Sequence, residues 1–111
     1  MDLIEKHVGD VIVVELKGDV LGGPDATKIS TRIRELIKDQ KKNLVLDLQG
    51  VDYMNSSGLG MLTAAHTLLK KEGGTLKLAR PATRIQSLLS ITKLNTLIDA
   101  YGTVDDAVAS F

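Results

Sequence analysis

Residues 43–60 read Asn43-Leu44-Val45-Leu46-Asp47-Leu48-Gln49-Gly50-Val51-Asp52-Tyr53-Met54-Asn55-Ser56-Ser57-Gly58-Leu59-Gly60. In the first part, Leu44, Val45, Leu46 and Leu48 leave only Asp47 polar. A short run apolar on both alternating faces predicts a strand covered on both sides, as in a parallel or mixed sheet. Gln49-Gly50 closes the run. Asn55, Ser56 and Ser57 are residues that favour helix N-caps, and a helix is expected from about Ser57 to Glu72, stopped at Gly73-Gly74. A buried strand, a loop and a helix start make the unit from which alternating α/β sheets are assembled.

The flanking sequence continues the pattern. Toward the N-terminus, LIEKHV and VIVVELKG are β-prone runs separated by Gly9-Asp10, a pair suited to a two-residue hairpin turn. The stretch GDVLGGPD is a loop, and Pro24 can open a helix. From there to about Gln40, Ile29, Ile33, Leu36 and Ile37 recur at helical spacing. Toward the C-terminus, TLKLAR reads as a strand with Leu76 and Leu78 on one face. Pro81 opens a third helix carrying Ile85, Leu88, Leu89 and Thr92 on one side. A short edge strand is expected around Leu97. Thr103-Val104-Asp105-Asp106 is a capping-box pattern that begins a last helix. The implied architecture is one α/β domain over residues 1–111, a mixed sheet begun by a hairpin and covered by helices.

Composition limits the chemistry. The chain has 111 residues, 14 Lys+Arg against 14 Asp+Glu, no Cys and no Trp. Zero net charge gives no electrostatic footprint for nucleic acid or an acidic membrane surface. Without Cys there is no disulfide scaffold, thiolate metal site or thiol nucleophile. No apolar run has the length of a membrane span, and the N-terminus does not read as a signal peptide, so a soluble cytoplasmic domain is expected. His7 and His66 have no partners at metal-ligand spacing, and His66 falls among apolar helix residues, where packing explains it. The glycines of GDVLGGPD and SSGLG match neither a P-loop nor a dinucleotide fingerprint nor a nucleophile elbow. An enzyme, a metal and a cofactor are therefore not expected.

The segment from Asp52 to Gly60 holds the most information. It follows the most buried strand, at the end where α/β sheets meet ligands and partners. One reading is a well-capped helix with a tight turn and nothing more. The other is a modification site: a helix N-terminus favours negative charge, and a phosphoserine there adds about −1.5 to −2 charges while changing shape little. On the following helix, Leu59, Leu62, His66 and Leu69 form one stripe and Met61, Ala65 and Leu68 a neighbouring one. Core packing accounts for most of this arc, with Met61 an alternative partner contact.

DYMNSSGLGML resembles the signature of the STAS domain, and specifically that of the bacterial anti-sigma-factor antagonists. VIVVELKGDV, KKNLVLDLQGVDYM and the sequence from Lys70 to Val108 resemble the family's flanking elements in the same order. The resemblance implies a STAS-type mixed sheet of four to five strands with an N-terminal hairpin, flanked by about four helices. It also implies partner switching. An unphosphorylated antagonist binds an anti-sigma factor of the serine-kinase type and frees the sigma factor; phosphorylation releases it, and a serine phosphatase resets it. By position in the motif the phosphoacceptor is Ser56, with Ser57 next in line. Asn55, Ser56, Ser57, Gly58, Leu59, Met61 and Leu21 make up the expected partner-binding set. Two positions depart from the family pattern: Asn55 and Leu21 stand where acidic residues are usual. The alternative they motivate is a constitutive, non-phosphorylated STAS scaffold subunit of a signalling or lipid-transport complex. A small-ligand or nucleotide domain is a third reading. A monomer or weak dimer is expected, with no direct contact to nucleic acid or membrane.

Overall fold

The computed structural model describes all residues from 1 to 111. The chain folds into β1 (Asp2–Val8), β2 (Val11–Lys17), α1 (Pro24–Lys38), β3 (Asn43–Gly50), α2 (Ser56–Lys71), β4 (Thr75–Ala79), α3 (Thr83–Ile91), a 3₁₀ turn (Leu94–Thr96), β5 (Ala100–Tyr101) and α4 (Val104–Ala109). The five strands lie in sequence order, β1-β2-β3-β4-β5. β1 and β2 form the antiparallel hairpin, and β2 through β5 run parallel. At the hairpin turn Gly9 has φ 59°. A positive φ at the first turn position suits the strand twist and needs no side chain.

The central strand is β3. Leu44, Leu46 and Leu48 point into the main core with Ile12, Val14 and Leu16 of β2 and Leu76 and Leu78 of β4. That side is covered by α1 through Ile29, Ile33 and Leu36, by α2 through Leu62, Ala65 and Leu69, and by α3 through Ile85 and Leu89. The opposite face is smaller: Val11, Val13, Val45 and Ala79 pack under Ala107 of α4. Because β3 is covered on both faces, its sequence shows almost no polar alternation.

Four expectations shift. α1 ends at Lys38 rather than near Gln40, because Gln40 turns to φ 62°. α2 begins one residue earlier, at Ser56, and ends at Lys71. α3 begins at Thr83 rather than Pro81, since Ala82 keeps an extended N-cap conformation and Arg80 before the proline sits at φ 54°. The short edge strand is at Ala100–Tyr101, not around Leu97. Lys93 at φ 61° redirects the chain into the 3₁₀ turn, which buries Leu94 and Ile98 and leaves Leu97 56% exposed.

Asp47, the polar residue of the β3 run, is 2% exposed. Its Oδ1 accepts from Arg80 Nε at 3.0 Å and from the Gln49 N–H at 3.2 Å, and Oδ2 accepts from Arg80 Nη2. Glu15 lies 3.6 Å from the same guanidinium. The hydrogen bond to Asp47 is the main cause holding the Arg80 pKa above its usual value, opposed by partial desolvation. A buried carboxylate needs such pairing to stay charged.

Candidate functional site

Beyond β2 and β3 the two chains stay paired through their loops. The Val20 N–H donates to Tyr53 O at 3.0 Å, the Asn55 N–H donates to Val20 O at 3.4 Å, and Val20 and Met54 form an isolated parallel bridge. Val20 and Met54 are buried, so this stitch has an apolar base. It fixes the β2–α1 loop beside the start of α2.

Asn55 is the N-cap of α2. Its Oδ1 accepts from the Gly58 N–H at 2.8 Å, and its Nδ2 donates to Leu21 O at 3.1 Å. One carboxamide thus caps the helix and holds the neighbouring loop. An aspartate in this place could cap but could not donate to a carbonyl. The departure at Asn55 has a local physical reason in the second bond. The departure at Leu21 places an apolar side chain, 48% exposed, on the rim of the same site.

Two glycines allow this closeness. A Cβ on Gly58 would lie 2.1 Å from Val20 O, and one on Gly22, itself at φ 77°, would lie 2.4 Å from the Ser57 Cβ. Gly60 faces open space and serves no such approach.

The seven expected partner-binding residues therefore divide. Ser56, Ser57 and Leu21 are exposed and Asn55 is half-buried. Gly58, Leu59 and Met61 are buried: Gly58 against Val20, Leu59 and Met61 within the main core. Met61 also lines a shallow groove of about 320 Å³ between α1 and α2, with Ala26, Ser30, Arg34 and Leu68. Tyr53, 44% exposed in the approach loop, joins the rim and was not among the expected residues. Its sequence signal was its place three residues before Ser56.

Ser56 occupies the first turn of α2, where unpaired N–H groups and the helix dipole favour negative charge. No acidic residue lies in that turn. Asp25 sits in the first turn of α1 with its carboxylate 3.9 Å from the N-terminal amine. The exposed acids of the adjoining loops are Asp19 and Asp52. The arrangement can present a serine hydroxyl to a partner and accept an anionic group on it. His66 is half-buried on α2, and its Nδ1 is buried without a hydrogen-bond partner. No group of three His, Cys, Asp or Glu side chains is placed to hold a metal ion, and no helix is long and apolar enough to cross a membrane.

Comparison with known proteins gives a consistent picture. The family model described as STAS domain matches residues 3–107. The chain is 38% identical over 63 residues to the anti-sigma-B factor antagonist of Bacillus subtilis, a match covering 57% of this chain and 58% of that protein. It is 27% identical over 99 residues to the anti-sigma F factor antagonist of Paenibacillus polymyxa, covering 88% and 83%. Among solved structures, an anti-sigma factor antagonist from Mycobacterium paratuberculosis superposes with a TM-score of 0.78 at 29% identity, covering 98% of this chain and 92% of that one.

Proposed function

The chain belongs to the STAS domain family, and on that footing we propose that it is an anti-sigma-factor antagonist working as a phosphorylation-gated, non-enzymatic binding protein in the cytoplasm. Its partner is an anti-sigma factor that is also a serine kinase. The unphosphorylated chain docks through the surface around Ser56, with Leu21, Tyr53, Asn55 and Ser57 at its rim. The kinase transfers the γ-phosphoryl group of ATP to Ser56 Oγ, and a serine phosphatase removes it.

The observation that carries this reading is an exposed serine at the first position of α2, on a rim held by the Asn55 bridge. A phosphate there meets the positive end of the helix dipole, so the fold tolerates it. A partner that fits the neutral, partly apolar rim would meet about two added negative charges. Docking is then switched by repulsion and lost shape match rather than by refolding.

The test is incubation with ATP and the kinase encoded near the gene, followed by mass spectrometric mapping. Phosphate is expected on Ser56 and absent from Ser56→Ala, and Ser56→Asp should weaken kinase binding. Phosphate unchanged in Ser56→Ala would remove Ser56 from the mechanism. Binding with no phosphate in the wild type would favour a constitutive STAS scaffold, a reading motivated by Asn55 and Leu21 standing where acidic residues are usual.

A further inference from the structure

β1 is the open edge of the sheet, seven residues long, with its outer side unpaired. Natural edges of this length are usually shielded, because free N–H and C=O groups invite another strand. Here the outer edge carries a specific pattern rather than a uniform shield. Ile4, Lys6 and Val8 face the α4 side, where they line a groove with Val13 and Glu15; Ile4 is 41% and Val8 45% exposed. Asp2 shares their face by alternation. Leu3 and Glu5 face the other side, Leu3 against the main core and Glu5 paired with Arg32 of α1.

The hairpin fixes which backbone groups are free. Its two-residue turn closes on the pair Val8 and Val11, which in such hairpins is hydrogen-bonded. Alternation then points the N–H and C=O of Ile4 and Lys6 toward β2 and those of Leu3 and Glu5 outward.

We propose that β1 is a self-association edge, and that a second copy of this chain pairs with it antiparallel about a two-fold axis at Ile4. In this register Ile4 faces Ile4, Asp2 faces Lys6 of the other copy, and Lys6 faces Asp2. Opposed residues of an antiparallel pair share a face, so the exposed isoleucines meet between two ion pairs. Leu3 and Glu5 of each copy, whose backbone groups point outward, exchange main-chain bonds with Glu5 and Leu3 of the other. The competing registers are disfavoured by charge. Centring on Glu5 sets two carboxylates opposite each other, centring on Lys6 sets two ammonium groups opposite each other, and centring on Leu3 makes no opposite-charge pair. The result is an isologous dimer with one continuous sheet.

In the dimer the two β2 strands run in opposite directions. The two Ser56 sites therefore lie at opposite ends of the joined sheet and both stay open. An edge contact of this size is weak, so the dimer forms at high concentration. The inference stands apart from the proposed function and holds whether or not Ser56 is phosphorylated.

Sedimentation analysis of the full chain at low salt, from about 10 µM to about 1 mM, tests it. The wild type should dimerise with concentration, and the Leu3 and Glu5 amides should gain exchange protection as it does. Asp2→Lys and Lys6→Glu each turn two attractions into two repulsions, and should each weaken the dimer by at least about tenfold. An equimolar mixture of the two variants restores both opposite-charge pairs in the heterodimer and should associate where neither does alone. A wild type monomeric throughout the range would overturn the proposal. So would a dimer indifferent to both reversals, or a mixture no stronger than its components.

Discussion

The carboxamide of Asn55 has an acceptor and a donor, and the structure uses both. The acceptor half is legible from sequence, because Asn before a Ser-Ser-Gly helix start reads as an N-cap. The donor half is not, since its partner Leu21 O lies 34 residues away and only tertiary pairing of the loops brings it near. The two halves predict different losses. Asn55→Ala removes both bonds and should cost about 1–2 kcal/mol. Asn55→Asp keeps the cap and gains from the helix dipole while turning an oxygen toward the Leu21 carbonyl, so urea unfolding should show about half that loss or less. Gly58 has a similar lesson. It stands in the expected partner-binding set, yet the group that closes on it is the Val20 carbonyl of its own chain. Gly58→Ala would gain about 1 kcal/mol from helix propensity alone, yet a Cβ 2.1 Å from Val20 O should make it destabilising by at least about 2 kcal/mol in the same assay.

Between elements, β1 and α1 are joined by Glu5 and Arg32, whose side chains form a two-pronged pair. The hydrogen bond to Arg32 is the main reason the Glu5 carboxyl lies below its usual value of 4.5, with burial opposing it. A carboxyl that holds its proton less tightly folded than unfolded adds stability above its unfolded pKa. That contribution fades as the pH falls through the lower folded value. Glu5→Gln should therefore be less stable than wild type near neutrality, by about 0.5 kcal/mol for a pair this exposed. The two unfolding midpoints should converge as the pH drops below about 4; curves that stay parallel to pH 3 would show that the pair adds nothing. Such pairings were not legible in the sequence, and neither was the Asp47–Arg80–Glu15 cluster, because their partners come from separate elements. The alternating order of strands and helices was legible, since it rests on local periodicity and on turn residues such as Gly9, Gly73 and Pro24. The edge strand was misplaced for the converse reason. Leu97 belongs to a short apolar stretch bent by Lys93, whereas Ala100–Tyr101 is a strand through its backbone bonds to β4 alone.

For the molecule as a whole, zero formal charge leaves no electrostatic footprint for a polyanion, and it also sets the size of the proposed switch. Against a balanced background one phosphate at Ser56 would be a large change, confined to one end of α2. Two accounts of switching then make opposite predictions about stability. If the phosphate acts by loosening the fold, a negative charge at position 56 must destabilise the domain. If it acts as a surface charge at a helix N-terminus, the dipole should make it neutral or favourable by about 0.3–1 kcal/mol. The open first turn of α2, free of other acids, supports the second account. Ser56→Glu should accordingly unfold at the same or slightly higher urea concentration than wild type, with the gain shrinking in high salt as the dipole interaction is screened. The same variant should bind the proposed kinase partner more weakly, although a carboxylate carries only part of the phosphate charge. A variant that loses binding and stability together would instead mark Ser56 as part of the fold, and the switch as a remodelling of α2.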